Sequence, residues 1–141
     1  MKLIFLAAIF LSLQISTFAG IDTGIPATNQ IILSVGAWKP STEQTQKALV
    51  SVQAFLNQSK HHDIPKILAN TKNYRVQFVG VLRNGKKVIW CNFFPAPDKD
   101  DEFHYWKRDK VEVMDGGFSF WQIDFDPTKN SCSEFKVNGY A

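Results

Sequence analysis

The sequence predicts an α+β fold in which one main helix packs on a curved antiparallel sheet of four to five strands. Three observations carry that prediction. A capped amphipathic stretch begins at Ser41, an Asn84-Gly85 turn joins two apolar runs, and two turn clusters divide the aromatic stretch from Lys110 to Ala141. A helix with one apolar stripe and strands with bulky side chains must cover one another, and a helix laid on a sheet face does so.

Taken in order, the chain of 141 residues opens with Met1-Lys2, an apolar run from Leu3 to Leu13, and small residues at Thr17 and Ala19. A charged start, a short apolar stretch and a small-residue cleavage site describe a secretory signal. Residues 1–19 are therefore expected to be removed and the product exported, to a periplasm or the medium. The apolar run is short for a bilayer span, so no membrane anchor is expected after cleavage. Cleavage removes a single charge, Lys2, leaving 15 basic and 13 acidic residues among 122. That near-neutral balance, with no basic block longer than Lys86-Lys87 or Lys107-Arg108, argues against nucleic acid as a partner. Residues 20–40 read as an N-terminal segment in which Ile31 to Val35 is a short strand or a tether, and residues 41–141 as one α+β domain.

Pro40-Ser41-Thr42-Glu43-Gln44 has the chemistry of a helix start. Ser41 can cap, Gln44 can reach back to the Ser41 amide, and Glu43 lies in the favourable first turn. Ala48, Leu49, Val52, Phe55 and Leu56 then recur at helical spacing, which predicts one amphipathic helix over about 42–59. His61-His62-Asp63 follows. Imidazole and carboxylate are metal-ligating types, but no second ligand pair at a recognisable spacing accompanies them, so the segment reads as a solvated loop and no metal ligand is assigned. Pro65 in the first turn predicts a short helix from Ile64 to Asn70.

Asn84-Gly85 is a type I′ turn signal and commits the register of the hairpin from Tyr74 to Pro95. Leu82 faces Lys87, Val81 faces Val88, Gly80 faces Ile89, Val79 faces Trp90, Phe78 faces Cys91 and Val76 faces Phe93. Tyr74, Val76, Phe78, Ile89, Cys91 and Phe93 then share one apolar face, the seat for the helix. The other face carries Val79, Val81, Val88 and Trp90, with Gln77 beside Asn92. Buried amides require partners, so this pair reads as a cross-strand hydrogen bond or as a ligand contact. Asp98 to Glu102 resembles a calcium loop only in charge, lacking the central glycine and distal glutamate. Phe103-His104-Tyr105-Trp106 is an aromatic cluster that either closes the sheet or recognises a partner.

The C-terminal stretch predicts three strands. With Gly116-Gly117 as a two-residue loop, Asp115 faces Phe118, Val113 faces Phe120 and Val111 faces Gln122. A four-residue loop from Pro127 to Asn130 then sets Phe120 opposite Val137 and Gln122 opposite Phe135. Two cysteines in an exported chain are compatible with one disulfide, Cys91 to Cys132. In a plain five-strand meander two strands separate them, about 14 Å, too far for a bridge, so either they are free, the strand order is not sequential, or Cys132 bends over an open edge.

Asn84 to Phe94 (N-G-K-K-V-I-W-C-N-F-F), Asp115 to Trp121 (D-G-G-F-S-F-W), Asp126 and Phe135 to Ala141 (F-K-V-N-G-Y-A) resemble a group of small exported bacterial proteins of unassigned activity. A looser resemblance is to cystatins, in which a long helix crosses an antiparallel sheet. Gly36 precedes the helix, and Gln77-Phe78-Val79-Gly80 is similar to the Q-x-V-x-G loop, although one residue shorter and within a strand. Trp121 lacks the proline that precedes the tryptophan of the second cystatin hairpin. This resemblance implies inhibition of an extracellular protease.

No nucleophile with base and orienter, no G-x-S-x-G and no phosphate-cradling glycine loop is legible. The expected function is a non-catalytic module that binds another protein, with Gln77, Trp90, Asn92, Tyr105, Trp106 and Trp121 as candidate contacts and no cofactor. Two alternatives are a small-molecule pocket between helix and sheet, as in folds resembling nuclear transport factor 2, and a structural envelope component.

Overall fold

The computed structural model describes residues 23–140; the expected signal lies outside the described residues. The element order is β1 (Gln30–Ile32), α1 (Thr42–Gln58), α2 (Ile64–Ala69), β2 (Tyr74–Arg83), β3 (Lys86–Pro95), β4 (Trp121–Asp126) and β5 (Ser131–Val137). The five strands form one open sheet in the order β1-β2-β3-β4-β5. It is antiparallel except at β1, which runs parallel to β2 with Gln30 opposite Val76. A parallel neighbour needs a crossover, and α1 with α2 supplies it.

α1 begins as expected. Ser41 Oγ accepts the Gln44 amide at 3.1 Å, and Gln44 Oε1 accepts the Ser41 amide at 2.9 Å. Ala48, Leu49, Val52 and Leu56 are buried against Val76, Phe78, Ile89, Cys91, Phe93, Trp121, Ile123 and Phe125. Burial of each large side chain in this layer stabilises by about 1.5–3 kcal/mol. The seam between α1 and the sheet retains a void of only about 10 Å³.

The β2–β3 register is the predicted one at every pair, from Tyr74 opposite Pro95 to Arg83 opposite Lys86. Asn84 (φ 52°) and Gly85 (φ 76°) take the left-handed conformations that a type I′ turn requires. The N-terminal segment is built into this sheet. Leu33 is buried, the Ala37 amide donates to Gly80 O at 2.8 Å, and the Trp38 indole donates to Val81 O at 3.0 Å. Backbone passes so close here that a Cβ on Gly80 would lie 2.0 Å from Trp38 O.

Two C-terminal expectations are corrected. Residues 109–114 form no strand, so Val111 does not pair with Gln122, nor Val113 with Phe120, nor Asp115 with Phe118. β4 lies directly on β3, with Gln122 opposite Asn92, and residues 103–115 cross the sheet face instead. Val111 is buried while Glu112 is exposed, an alternation that a covering segment shares with a strand. Gly116 (φ 91°) and Gly117 (φ 56°) lead into a 3-10 turn, Gly117–Ser119, rather than a hairpin. Secondly, the Pro127–Asn130 loop sets Asp124 opposite Ser133 as its length requires, but Gln122 then faces Lys136, not Phe135, and Trp121, not Phe120, faces Val137. A bulge in β5 adds the extra residue, where Glu134 takes φ 56°.

Both faces of the sheet are covered, the second only in part. α1 lies on one; Phe103, Trp106 and Val111 pack with Phe94 on the other.

Candidate functional site

The covered part of the second face is held by amides. Gln77 and Asn92 are 0 % and 2 % exposed. Gln77 Nε2 donates to the main-chain oxygens of Trp106 at 2.5 Å and Asp109 at 2.8 Å. Its Oε1 accepts from the Val111 amide at 2.9 Å and from Asn92 Nδ2 at 3.1 Å. Asn92 Nδ2 donates also to Val111 O at 2.7 Å, and Asn92 Oδ1 accepts from Gln122 Nε2 at 3.4 Å. Gln122 reaches Asn138 Oδ1, and Asn138 Nδ2 donates to the oxygens of Val113 and Asp115. Four amides thus form a ladder over β2, β3, β4 and the residue after β5. They satisfy backbone groups that have no strand partner.

Arg75 anchors the front of the same segment. Its Nε donates to Pro95 O at 2.7 Å, and its two terminal nitrogens grip Asp101 at 2.8 and 2.7 Å. The guanidinium lies over Phe94, Phe103 and Trp106, with centroid distances of 4.8, 5.8 and 5.4 Å. A buried cation needs both a counter-charge and hydrogen bonds, and here it has them. The guanidinium holds the Asp101 carboxyl below its ordinary range. The acidic run is therefore tied inward at Asp101, while Asp98 accepts the Asp100 amide in a local turn.

The six candidate contacts are dispersed by the structure. Gln77, Asn92, Tyr105 and Trp106 come together, but as the support and body of the covering segment, with Tyr105 partly buried against it. Trp121 belongs to the α1 side, stacked on Phe93 at 3.7 Å and 4°. Trp90 is half-buried, opposite Asp124, with Lys110 Nζ 5.9 Å from its ring.

Beyond the covering segment, towards the β2–β3 turn, the sheet is open. A hollow of about 540 Å³ is lined by Leu82, Arg83, Asn84, Val88, Asp124, Ser133 and Glu134. Asp124, 3 % exposed, accepts from Arg83 Nε at 3.0 Å and Nη2 at 3.3 Å. Its charge is thereby compensated. Leu82 is 52 % exposed, and Arg83, Lys86 and Lys87 are exposed beside it. Arg83 and Leu82 were not singled out from sequence as site residues; the available signal was an apolar residue beside the turn, at the exposed end of a committed register.

The His61-His62-Asp63 segment departs from a solvated loop. Asp63 is 1 % exposed. One carboxylate oxygen, Oδ1, accepts the Tyr140 hydroxyl at 2.5 Å, a contact across 77 residues, with Lys66 Nζ at 3.9 Å. The other, Oδ2, lies 3.2 Å from His62 Nε2 and 4.0 Å from His61 Nδ1. The sequence hides this arrangement because the residue that closes it, Tyr140, lies at the far end of the chain.

Cys91 and Cys132 are free. One strand, β4, lies between theirs, since residues 109–114 do not insert as a second. Burial pushes the Cys91 thiol well up and the Cys132 thiol up to about 12, which suppresses the thiolate that reactivity requires. Among the described residues no helix is long and apolar enough to cross a membrane. No protein-family profile, curated protein or solved structure matches the chain.

Proposed function

We propose that this chain is an exported, non-catalytic binding module that engages another protein through the β2–β3 turn and the hollow beside it. The observation that carries the reading is Leu82. It is an apolar side chain 52 % exposed at the end of a hairpin whose register is fixed by ten pairs, with Lys87 directly opposite it. A rigid, projecting apolar residue with a cation directly across the hairpin suits a partner segment that pairs an apolar side chain with an acidic one, since complementary charge steers the encounter and the apolar contact supplies affinity. The uses found for other groups support the same reading: Gln77, Asn92 and Arg75 hold the fold, and both thiols are suppressed.

The test is capture from the compartment into which the chain is exported, using the immobilised mature protein beside two variants. Leu82→Asp with Lys86→Glu changes the tip; Val50→Asp changes an exposed position on α1. The proposal expects one protein retained by wild type and by Val50→Asp and lost with the tip variant. No specific retention, or retention indifferent to the tip variant, rejects it.

A further inference from the structure

Among the described residues, one group of three His, Cys, Asp or Glu side chains brings its ligand atoms together: His61, His62 and Asp63, all within 4.8 Å of one another. We propose that these three residues bind a borderline divalent transition-metal ion of the Zn²⁺ type, with Tyr140 as the residue that positions Asp63.

Distances carry the first part. A tetrahedral ion with bonds of about 2.0–2.1 Å places its ligand atoms about 3.3–3.4 Å apart. His62 Nε2 and Asp63 Oδ2 are already 3.2 Å apart, and His61 Nδ1 stands 4.0 Å from the same oxygen. The widest gap in the set, up to 4.8 Å, has to close by about 1.4 Å to reach that spacing. His61 Nδ1 accepts the Asp63 amide at 3.2 Å, so this nitrogen is unprotonated, as a metal ligand must be, and it exchanges that amide for the ion on binding. The rings are also pre-oriented: His61 stacks on His62 at 4.4 Å and 23° and meets Phe135 edge-on at 5.3 Å and 83°.

The division of labour at Asp63 carries the second. Oδ1 is taken by the Tyr140 hydroxyl, and Oδ2 is left facing the imidazoles. A ligating carboxylate fixed by a donor on its other oxygen is how an outer group sets a metal ligand's direction. Lys66 stands on the Oδ1 side and lies over the rings of Phe118 and Tyr140, at 5.4 and 5.7 Å. With its His62 side chain 78 % exposed, the cluster faces solvent and leaves a fourth position for water or an outside ligand. Two imidazoles and one carboxylate select zinc-like ions over calcium or magnesium, which prefer oxygen.

Calorimetric titration of untagged mature protein with Zn²⁺ tests this, paired with Co²⁺ absorption to report coordination. The expected result is one ion per chain, an intense visible Co²⁺ band typical of four-coordinate sites, and no competition from excess Ca²⁺. His62→Ala, at an exposed position that folding does not need, is expected to weaken binding at least about tenfold, and Tyr140→Phe by about 10–100-fold with an altered Co²⁺ band. His104→Ala is expected to leave both unchanged. Absence of heat and of a Co²⁺ band in wild type overturns the proposal. So does binding that His62→Ala leaves intact, or binding that His104→Ala removes.

Discussion

Replacing Gln77 with alanine removes the centre of the amide ladder, and its cost can be worked from the contacts. Four hydrogen bonds disappear: two donations to the Trp106 and Asp109 oxygens, and two acceptances from the Val111 amide and Asn92. At about 1 kcal/mol net for each, the loss is about 4 kcal/mol, and more where an orphaned main-chain group stays dry. Against a total stability of about 5–15 kcal/mol for a domain of this size, that is a large fraction. Urea unfolding measures the total. Hydrogen exchange at the Val111 amide measures the local part, because its acceptor is the side chain being removed. Gln77→Glu is not expected to rescue, since it turns a second acceptor towards the Trp106 and Asp109 oxygens. A loss below about 1 kcal/mol, with Val111 still protected, would refute the claim that side-chain amides hold the covering segment.

Other outcomes follow from the same contacts. The Asp101 carboxyl is held below its ordinary value of 3.8 by Arg75, so its stabilisation is present above that value and is lost as pH falls through the lower folded value. Acid titration of stability is expected to be shallower in Asp101→Asn than in wild type between about pH 5 and pH 2; equal slopes contradict the pairing. Thiol counting with an aromatic disulfide reagent, without reductant, is expected to give almost no reaction in native protein and two thiols in urea; fewer than two in urea contradicts free cysteines. Gly80→Ala forces the Trp38 backbone away from a Cβ 2.0 Å from its oxygen, so about 1–3 kcal/mol is lost and the Ala37 amide exchanges faster. Unchanged Ala37 protection would show that the N-terminal tether does not depend on that close approach.

The parts of the fold that were legible in the sequence are those set by local rules. Ser41 and Gln44 declared the helix start, and Asn84-Gly85 fixed ten strand pairs, because a cap and a two-residue turn depend on neighbours only. What failed was decided at a distance. Val111 and Val113 alternate with polar residues as a strand would, yet Gln77 and Asn92, far earlier in the chain, capture this backbone before it can pair. The single slip in β5 comes from one left-handed residue, Glu134, a conformation no side chain there advertises. The amides were recognised as residues that must find partners, but not as parts of a four-member ladder that includes Gln122 and Asn138. Asp63 read as solvent-facing because its hydroxyl partner is 77 residues away.

A photo-reactive residue at position 82 tests the central claim about function most directly. With the benzophenone side chain in place of Leu82 in the exported chain, irradiation is expected to trap one defined partner protein. The same group at position 50 on α1 is expected to trap none. No adduct from position 82, or matching adducts from both positions, would contradict a docking surface at the β2–β3 turn.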